Sequence, residues 1–238
     1  MSNATLQDDQ WRNIYLFLQN HPRVYVGQEE DCRLFVEGVL WTTRSGSQWR
    51  FLPAGATMTS GKICISTLPT TPTWKMFFSI APWCGPILVL RGPQKNGDQA
   101  EQALGRSRGG FSTKIHVIVD ALGNPLRFLL TGGQRHDITQ AEDLIAGYEF
   151  ERVIADRSYD SDDLLRRIAE QEAEAVIPPR KNRKEQRDYD KHLYKERHLV
   201  ECFFNKIKHY RRLFSRFEKL DKRYLGFLSF VGALIWLR

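Results

Sequence analysis

The stretch that most restricts this chain is 194–214, YKERHLVECFFNKIKHYRRLF, a run without proline or glycine whose length predicts one helix of about six turns. On a helical wheel Tyr194, Arg197, Glu201 and Lys208 fall within an arc of about 60°. Val200, Phe203, Ile207, Tyr210 and Phe214 fall within about 80° on the opposite side. One face is therefore core, and the other presents a single carboxylate among cations. Many amphipathic helices carry such a face for solvation alone. A carboxylate ringed by Arg and Lys also suits a site that holds a divalent metal on Glu201 and phosphates on the cations.

Charge distribution favours the second reading. The 238 residues carry a formal charge of +7, yet 180–223 alone holds 16 Lys or Arg against 7 Asp or Glu, so the remainder is net acidic. Basicity concentrated beside the organising helix points to a polyanion, of which nucleic acid is the commonest. The start, MSNATLQDDQW, has neither the basic nor the apolar segment of a signal peptide. The apolar run 227–237 is too short to span a bilayer and reads as a buried terminal helix. Cys32, Cys64, Cys84 and Cys202 form no paired CxxC or Cys/His ligand spacing, so a reducing cytoplasm and no membrane are expected.

Residues 9–52 read as a small helical unit, with Trp11, Ile14, Tyr15 and Leu18 at helical spacing in one helix and Leu34, Phe35, Val39 and Trp41 in a second that ends at Ser45-Gly46. The segment 54–94 has no period of 2 or 3.6, carries five prolines and contains no acid. Next comes GRSRGG (105–110), read as a flexible basic loop in which Arg106 and Arg108 could meet phosphate. Phe111 to Val119, a turn at 122–125 and Leu126 to Leu130 predict a hairpin. Asp137 with Gln140 resembles a capping box opening a helix through Ile145. ERVIAD (151–156) is a short strand ending at Asp156, followed by a turn and a helix capped by Ser161 or Asp162. An acid at the carboxyl end of a central strand is where open α/β sheets place their chemistry. A short strand at 175–177 then leads to the basic connector 180–192, expected to lie along DNA or to stay mobile when free.

The spacing Tyr194, two residues, Arg197, three residues, Glu201, six residues, Lys208 resembles the signature around the catalytic glutamate of DDE transposases from bacterial insertion sequences of the IS4/IS5 type. WTTRSGSQWRFLP (41–53), GGFSTKIHVIVDALGNPLRFLLTGGQRHD (109–137) and the terminal segment resemble other elements of that group. The resemblance implies an α/β (α+β) fold, an RNase H-like mixed sheet flanked by helices, with a small N-terminal helical domain gripping DNA. Asp156 matches the family's second aspartate, although Ser158 stands where glycine is usual, which puts the tightness of the turn in question. By resemblance Asp156 and Glu201 hold two Mg2+ ions, one activating the nucleophile and the other stabilising the leaving oxygen. Tyr194, Arg197 and Lys208, with Arg106 and Arg108, are the corresponding DNA contacts. The partners implied are the insertion-sequence ends and target DNA, with a homo-oligomer assembled on them.

The family supplies its first catalytic aspartate, on an opening strand, within 54–94, where this chain has none. Reading 65–87 in the neighbouring frame, with permissive third bases, yields a stretch containing Leu-Phe-Asp-Ser-Thr, the missing motif. The single codons of Trp74, Met76 and Trp83 fix three residues of that translation. The segment is accordingly read as out of frame and the first core strand as lost. Three parts are expected: 1–53, a helical DNA-binding unit; 54–94, aberrant; and 95–238, the catalytic domain. Asp120, at the end of the first hairpin strand, is a candidate substitute, but turns favour Asp for local hydrogen bonding, and in an RNase H-like sheet this hairpin tip should lie away from the metal site. Function is read as metal-dependent strand cleavage and transfer, impaired by the missing aspartate. The alternatives are an inactive DNA-binding remnant or a nuclease of the same fold that cuts but does not join.

Overall fold

A computed structural model of the chain describes residues 6–21, 24, 26–48, 76–77, 102–107 and 110–237. Its centre is a long antiparallel hairpin. Strand β3 (Gly110–Asp120) pairs with β4 (Pro125–Gly132) from Thr113↔Gly132 to Val119↔Pro125, with an irregularity at Ile118/Val119. The turn is built by Asp120, whose Oδ1 accepts the amides of Leu122 (2.9 Å) and Asn124 (2.8 Å) while Oδ2 accepts Asn124 Nδ2 at 3.2 Å. Gly123 takes φ of 79° there, a conformation glycine adopts without strain. With both oxygens engaged locally, Asp120 is a turn residue.

Strand β1 (Met76–Phe77) pairs antiparallel with the end of β3, Met76↔Asp120 and Phe77↔Val119, and its backbone also approaches β5 (Arg152–Ile154). A first strand was expected to be lost, yet two residues of backbone occupy its place; the rest of 54–94 lies outside the described residues. Strand β5 pairs in parallel with β6 (Glu174–Val176). GRSRGG is a correction too: Gly105–Ser107 forms strand β2, paired with the start of β3, so Arg106 projects from a hairpin edge, exposed, opposite Phe111. Arg108 lies outside the described residues.

Alternation along β3 sends Ile115, Val117 and Val119 to one face and Ile118 to the other, and each face is covered by helices. On the first face lie α5 (His198–Lys208), the short α6 (Arg211–Phe214) and α7 (Asp221–Trp236). Here Phe203, Phe204, Ile207, Leu228 and Val231 pack with Val117, Val119 and Phe128. On the second face α3 (Ala141–Ile145) and α4 (Asp162–Ala169) bury Leu144, Ile145, Leu164 and Ile168 against Ile118 and Val153.

The N-terminal helices α1 (Asp8–Gln19) and α2 (Glu29–Ser45) join the first of these clusters, contributing Trp11, Leu18, Val36 and Leu40. The buried stripe of α2 runs Cys32, Val36, Leu40 and Thr43, whereas Leu34, expected inside, is 43% exposed. Gly46, at φ 72°, ends α2 as the sequence suggested, and Arg212 donates to the Ser47 carbonyl at 2.8 Å, tying the helical unit to α6.

The organising helix is not continuous. Asp190 Oδ1 accepts the amides of His192 (2.7 Å) and Leu193 (3.0 Å), starting a 3-10 turn over Leu193–Arg197 that leads into α5. After Lys208 the chain opens at Tyr210 (φ −96°, ψ 91°) before α6. The expected core residues Val200, Phe203, Ile207 and Tyr210 are buried. Past the break the phase resets, so Leu213 goes inside and Phe214 is 37% exposed. Cys32 and Cys202 are free thiols, and among the described residues no helix is long and apolar enough to cross a membrane.

Candidate active site

Strand β5 is short and apolar, and Val153, Ile154 and Ala155 are wholly buried. Asp156 is the first polar residue it delivers beyond the core, half-buried at the strand's carboxyl end. One of its oxygens accepts the Ser158 amide at 3.3 Å, capping a 3-10 turn over Arg157–Tyr159. Ser158 is not among the non-glycine residues at positive φ, so this turn makes no demand for glycine there. The other Asp156 oxygen has no hydrogen-bond partner among the described residues. Ser161 Oγ accepts the Leu164 amide at 3.2 Å, which makes it the cap of α4.

The glutamate stripe meets this strand end through Tyr194. Ile154 and Val176 pack with Ala121, Tyr189, Leu193, Tyr194 and Leu199, which fixes the 3-10 turn at 193–197 against β5. Arg197 stands 6.0 Å from the Tyr194 ring centroid and donates to Glu201 at 2.6 Å, one helical turn further on. Burial raises the Tyr194 phenol above its ordinary value; Arg197 opposes that shift, while the Asp156 charge adds to it. Asp156 and Tyr194 are thus electrostatic neighbours, and Arg197 links Tyr194 to Glu201. Lys208 is exposed at the end of α5 and donates to Asn205 at 2.9 Å.

Carboxylate oxygens suit a hard divalent cation such as Mg2+. Asp156 offers a free oxygen, and Glu201, half exposed, offers a carboxylate already oriented by Arg197. Among the described residues, however, no three His, Cys, Asp or Glu side chains cluster so as to hold a metal ion.

Two further features were not foreseen. Asp137 does not cap a helix: its carboxylate takes Lys114 Nζ at 2.8 Å, while Lys114 also donates to the Arg135 carbonyl at 2.7 Å, and a 3-10 turn over Asp137–Gln140 precedes α3. Nor is 180–192 a loose connector. Asp160, with no exposed side-chain surface, accepts Arg183 and Arg187 on Oδ1, each at 2.8 Å, and the Arg180 amide on Oδ2 at 2.7 Å. Arg187 donates as well to the Ile177 carbonyl at 3.3 Å.

A family described as "Transposase DDE domain" matches residues 88–236, and one described as "Putative transposase of IS4/5 family" matches residues 6–68. The chain is 45% identical over 130 residues to a "Putative transposase for insertion sequence element IS6501" of Brucella ovis, an alignment covering 54% of this chain and 100% of that protein. It is 34% identical over 142 residues to a "Putative transposase for insertion sequence element IS402" of Burkholderia cepacia, covering 55% of this chain and 64% of that one. No solved structure matches the chain. Matched over more than half its length, the chain belongs to the DDE transposases of insertion sequences, a family of DNA-cleaving and strand-transferring enzymes.

Proposed function

We propose that the chain acts on insertion-sequence ends and target DNA as a transposase, with Asp156 and Glu201 as its acidic centre, and that its catalysis is impaired because the first aspartate is missing. The observation that carries this reading is Tyr194, which packs on β5 beside Asp156 and shares its 3-10 turn with Arg197, the residue that holds Glu201 one helical turn further on. Two acids 45 positions apart in the chain are thereby served by one short segment. Strand β3 pairs with β1, β2 and β4, while β5 and β6 form a separate two-stranded sheet whose β5 lies near β1; this mixed arrangement supports an RNase H-like core.

Mg2+ held by Asp156 and Glu201 would supply Lewis-acid stabilisation of charge on the scissile phosphate and its leaving oxygen. The chain's own residues supply orientation. Arg197 fixes the Glu201 carboxylate, Tyr194 holds that turn against the sheet, and Lys208 and Arg106 add exposed positive charge for the DNA backbone, with Arg108 assigned the same role from sequence. The natural setting is the cytoplasm, as an oligomer on DNA.

Impairment rests on composition: 54–94 contains no acid. The two family matches leave 69–87 uncovered, which lies within the stretch 65–87 where the neighbouring frame restores an Asp-Ser-Thr motif. The absence of an acid from 54–94 equally motivates a second reading, a DNA-binding remnant that occupies transposon ends without cutting. A nicking assay on an end-containing duplex, titrated with Mg2+, separates the two. Residual nicking abolished by Glu201→Gln, with binding retained, supports the enzyme. Salt-sensitive binding with no nicking supports the remnant. Equal nicking by wild type and Glu201→Gln would refute the site assignment.

A further inference from the structure

The acidic centre leaves unused a cleft beside the Arg157–Tyr159 turn. A cavity of about 600 Å³ opens there, lined by Lys114, His136 and Asp137 from one wall, Arg157 and Ser158 from the other, and Arg180. The walls are the two 3-10 turns that follow β4 and β5, which face each other beyond the carboxyl ends of their strands. That is where α/β sheets place ligands.

The charges lining the cleft do not cancel. Lys114 is matched by Asp137 at 2.8 Å, with both side chains largely buried, so that pair braces the wall. Arg157 is exposed and has no side-chain acceptor among the described residues. Arg180 donates to the Ser158 carbonyl at 3.0 Å, a neutral acceptor that leaves its charge uncompensated. Its backbone is pinned by Asp160, so the guanidinium is presented from a fixed point. Behind the wall, the Tyr159 hydroxyl is fully buried without a partner and lies in the fields of Asp137 and Asp156. The Arg157 charge reaches Tyr194 as well, so positive charge continues from Arg197 past Asp156 into the cleft.

We propose that this cleft binds the phosphodiester backbone of DNA, with Arg157 and Arg180 as its phosphate contacts, extending the nucleic-acid track beyond Asp156. The cavity admits a sugar-phosphate unit, and guanidinium groups suit phosphate because their forked donors match its oxygens. Contacts of this kind hold and orient the strand without reading its sequence. The inference rests on the DNA-acting reading above. It is tested by binding alone, in EDTA, where no cleavage chemistry contributes.

The experiment is fluorescence anisotropy of the full chain with two labelled duplexes, one carrying an insertion-sequence end and one unrelated, across a salt series. Arg157→Gln with Arg180→Gln should weaken binding about tenfold at 0.1 M salt and reduce the slope of log K against log salt by about 2. Arg157→Lys with Arg180→Lys, which keeps both charges, should recover most of that loss. Arg166→Gln with Arg167→Gln, removing two exposed arginines of α4, should change neither. Equal losses on both duplexes support a backbone contact shared by all DNA, whereas a loss confined to one duplex overturns it, because a phosphate contact does not read sequence. Unchanged affinity and slope in the cleft variant, with its melting curve intact, overturn the proposal, as does an equal effect from the α4 control. Failure of the acidic centre is read separately, from Glu201→Gln nicking.

Discussion

Asp160 offers the sharpest test of how the site is held. Its carboxylate has no exposed surface, and three donors converge on it: Arg183 and Arg187 at 2.8 Å and the Arg180 amide at 2.7 Å. Asp160→Asn keeps the shape and one acceptor oxygen but removes the charge, and it turns an NH2 group toward a donor. Removing one partner of a fully buried pair costs about 3–5 kcal/mol. Here the Arg183 and Arg187 side chains are 21% and 30% exposed, so both recover some hydration once released. The expected loss is therefore about 3 kcal/mol, the worth of two charge-assisted hydrogen bonds discounted for that solvation. Urea denaturation should show the midpoint falling with the slope m unchanged, and the melting temperature should drop by about 6–12 °C. Hydrogen exchange should show protection lost first across 180–192, since those are the residues Asp160 anchors. A loss under about 1 kcal/mol, or one that leaves exchange at 180–192 as in wild type, would refute the claim that this carboxylate is what fixes the segment.

Burial lowers the pKa of His116 from 6.5 to about 4, so the folded chain keeps it neutral while the unfolded chain binds a proton. The stability this gives is complete above about pH 6.5 and is lost as pH falls toward 4, a total of about 3 kcal/mol. His116→Gln, whose amide approximates the position of Nε2 but does not titrate, should show a shallower acid decline in urea midpoints between pH 6.5 and 4; parallel curves would exclude His116 as the cause. Gly46 ends α2 at φ 72°, and an added Cβ would come within 2.8 Å of the Phe217 ring. Gly46→Ala should cost about 1–2 kcal/mol by thermal melting, and a neutral result would mean that this cap relaxes without strain.

What the sequence disclosed is what short-range chemistry controls. The hairpin was legible because β-branched residues crowd the run up to Asp120, and Asp-Ala-Leu-Gly-Asn supplies both the acceptor and the glycine that its turn needs. The strand ending at Asp156 was legible because an apolar run meets an acid. The break after Lys208 was not, since nothing in KHYRRLF forbids helix; Tyr210 opens there in a tertiary setting, its ring 5.7 Å from Arg44 of α2 and its side chain buried. The wrong placement of Phe214 follows directly, because a wheel drawn through the break carries a phase that the chain abandons. Leu34 went wrong for a related reason: the core selected Cys32, Val36 and Leu40, and an outer leucine costs little when that stripe is filled.

The site divides along the same line. Tyr194, Arg197 and Glu201 lie within two helical turns, so their common face could be read directly, whereas Asp156 at its strand end became a site residue only through the family resemblance. Asp160 and its arginines are separated by 20 or more positions, and the connector 180–192 has the composition of a free linker. Charge density alone made it a mobile DNA-binding arm. The buried carboxylate changes the physics: an arm tethered at Arg180, Arg183 and Arg187 pays its ordering entropy on folding, not on meeting DNA. The same tether sets Arg180 over the cleft and leads into the turn bearing Tyr194, so one aspartate outside the acidic centre links both flanks of Asp156. A phosphate track built this way is preorganised, and its affinity should depend on Asp160 even though that residue cannot touch a phosphate.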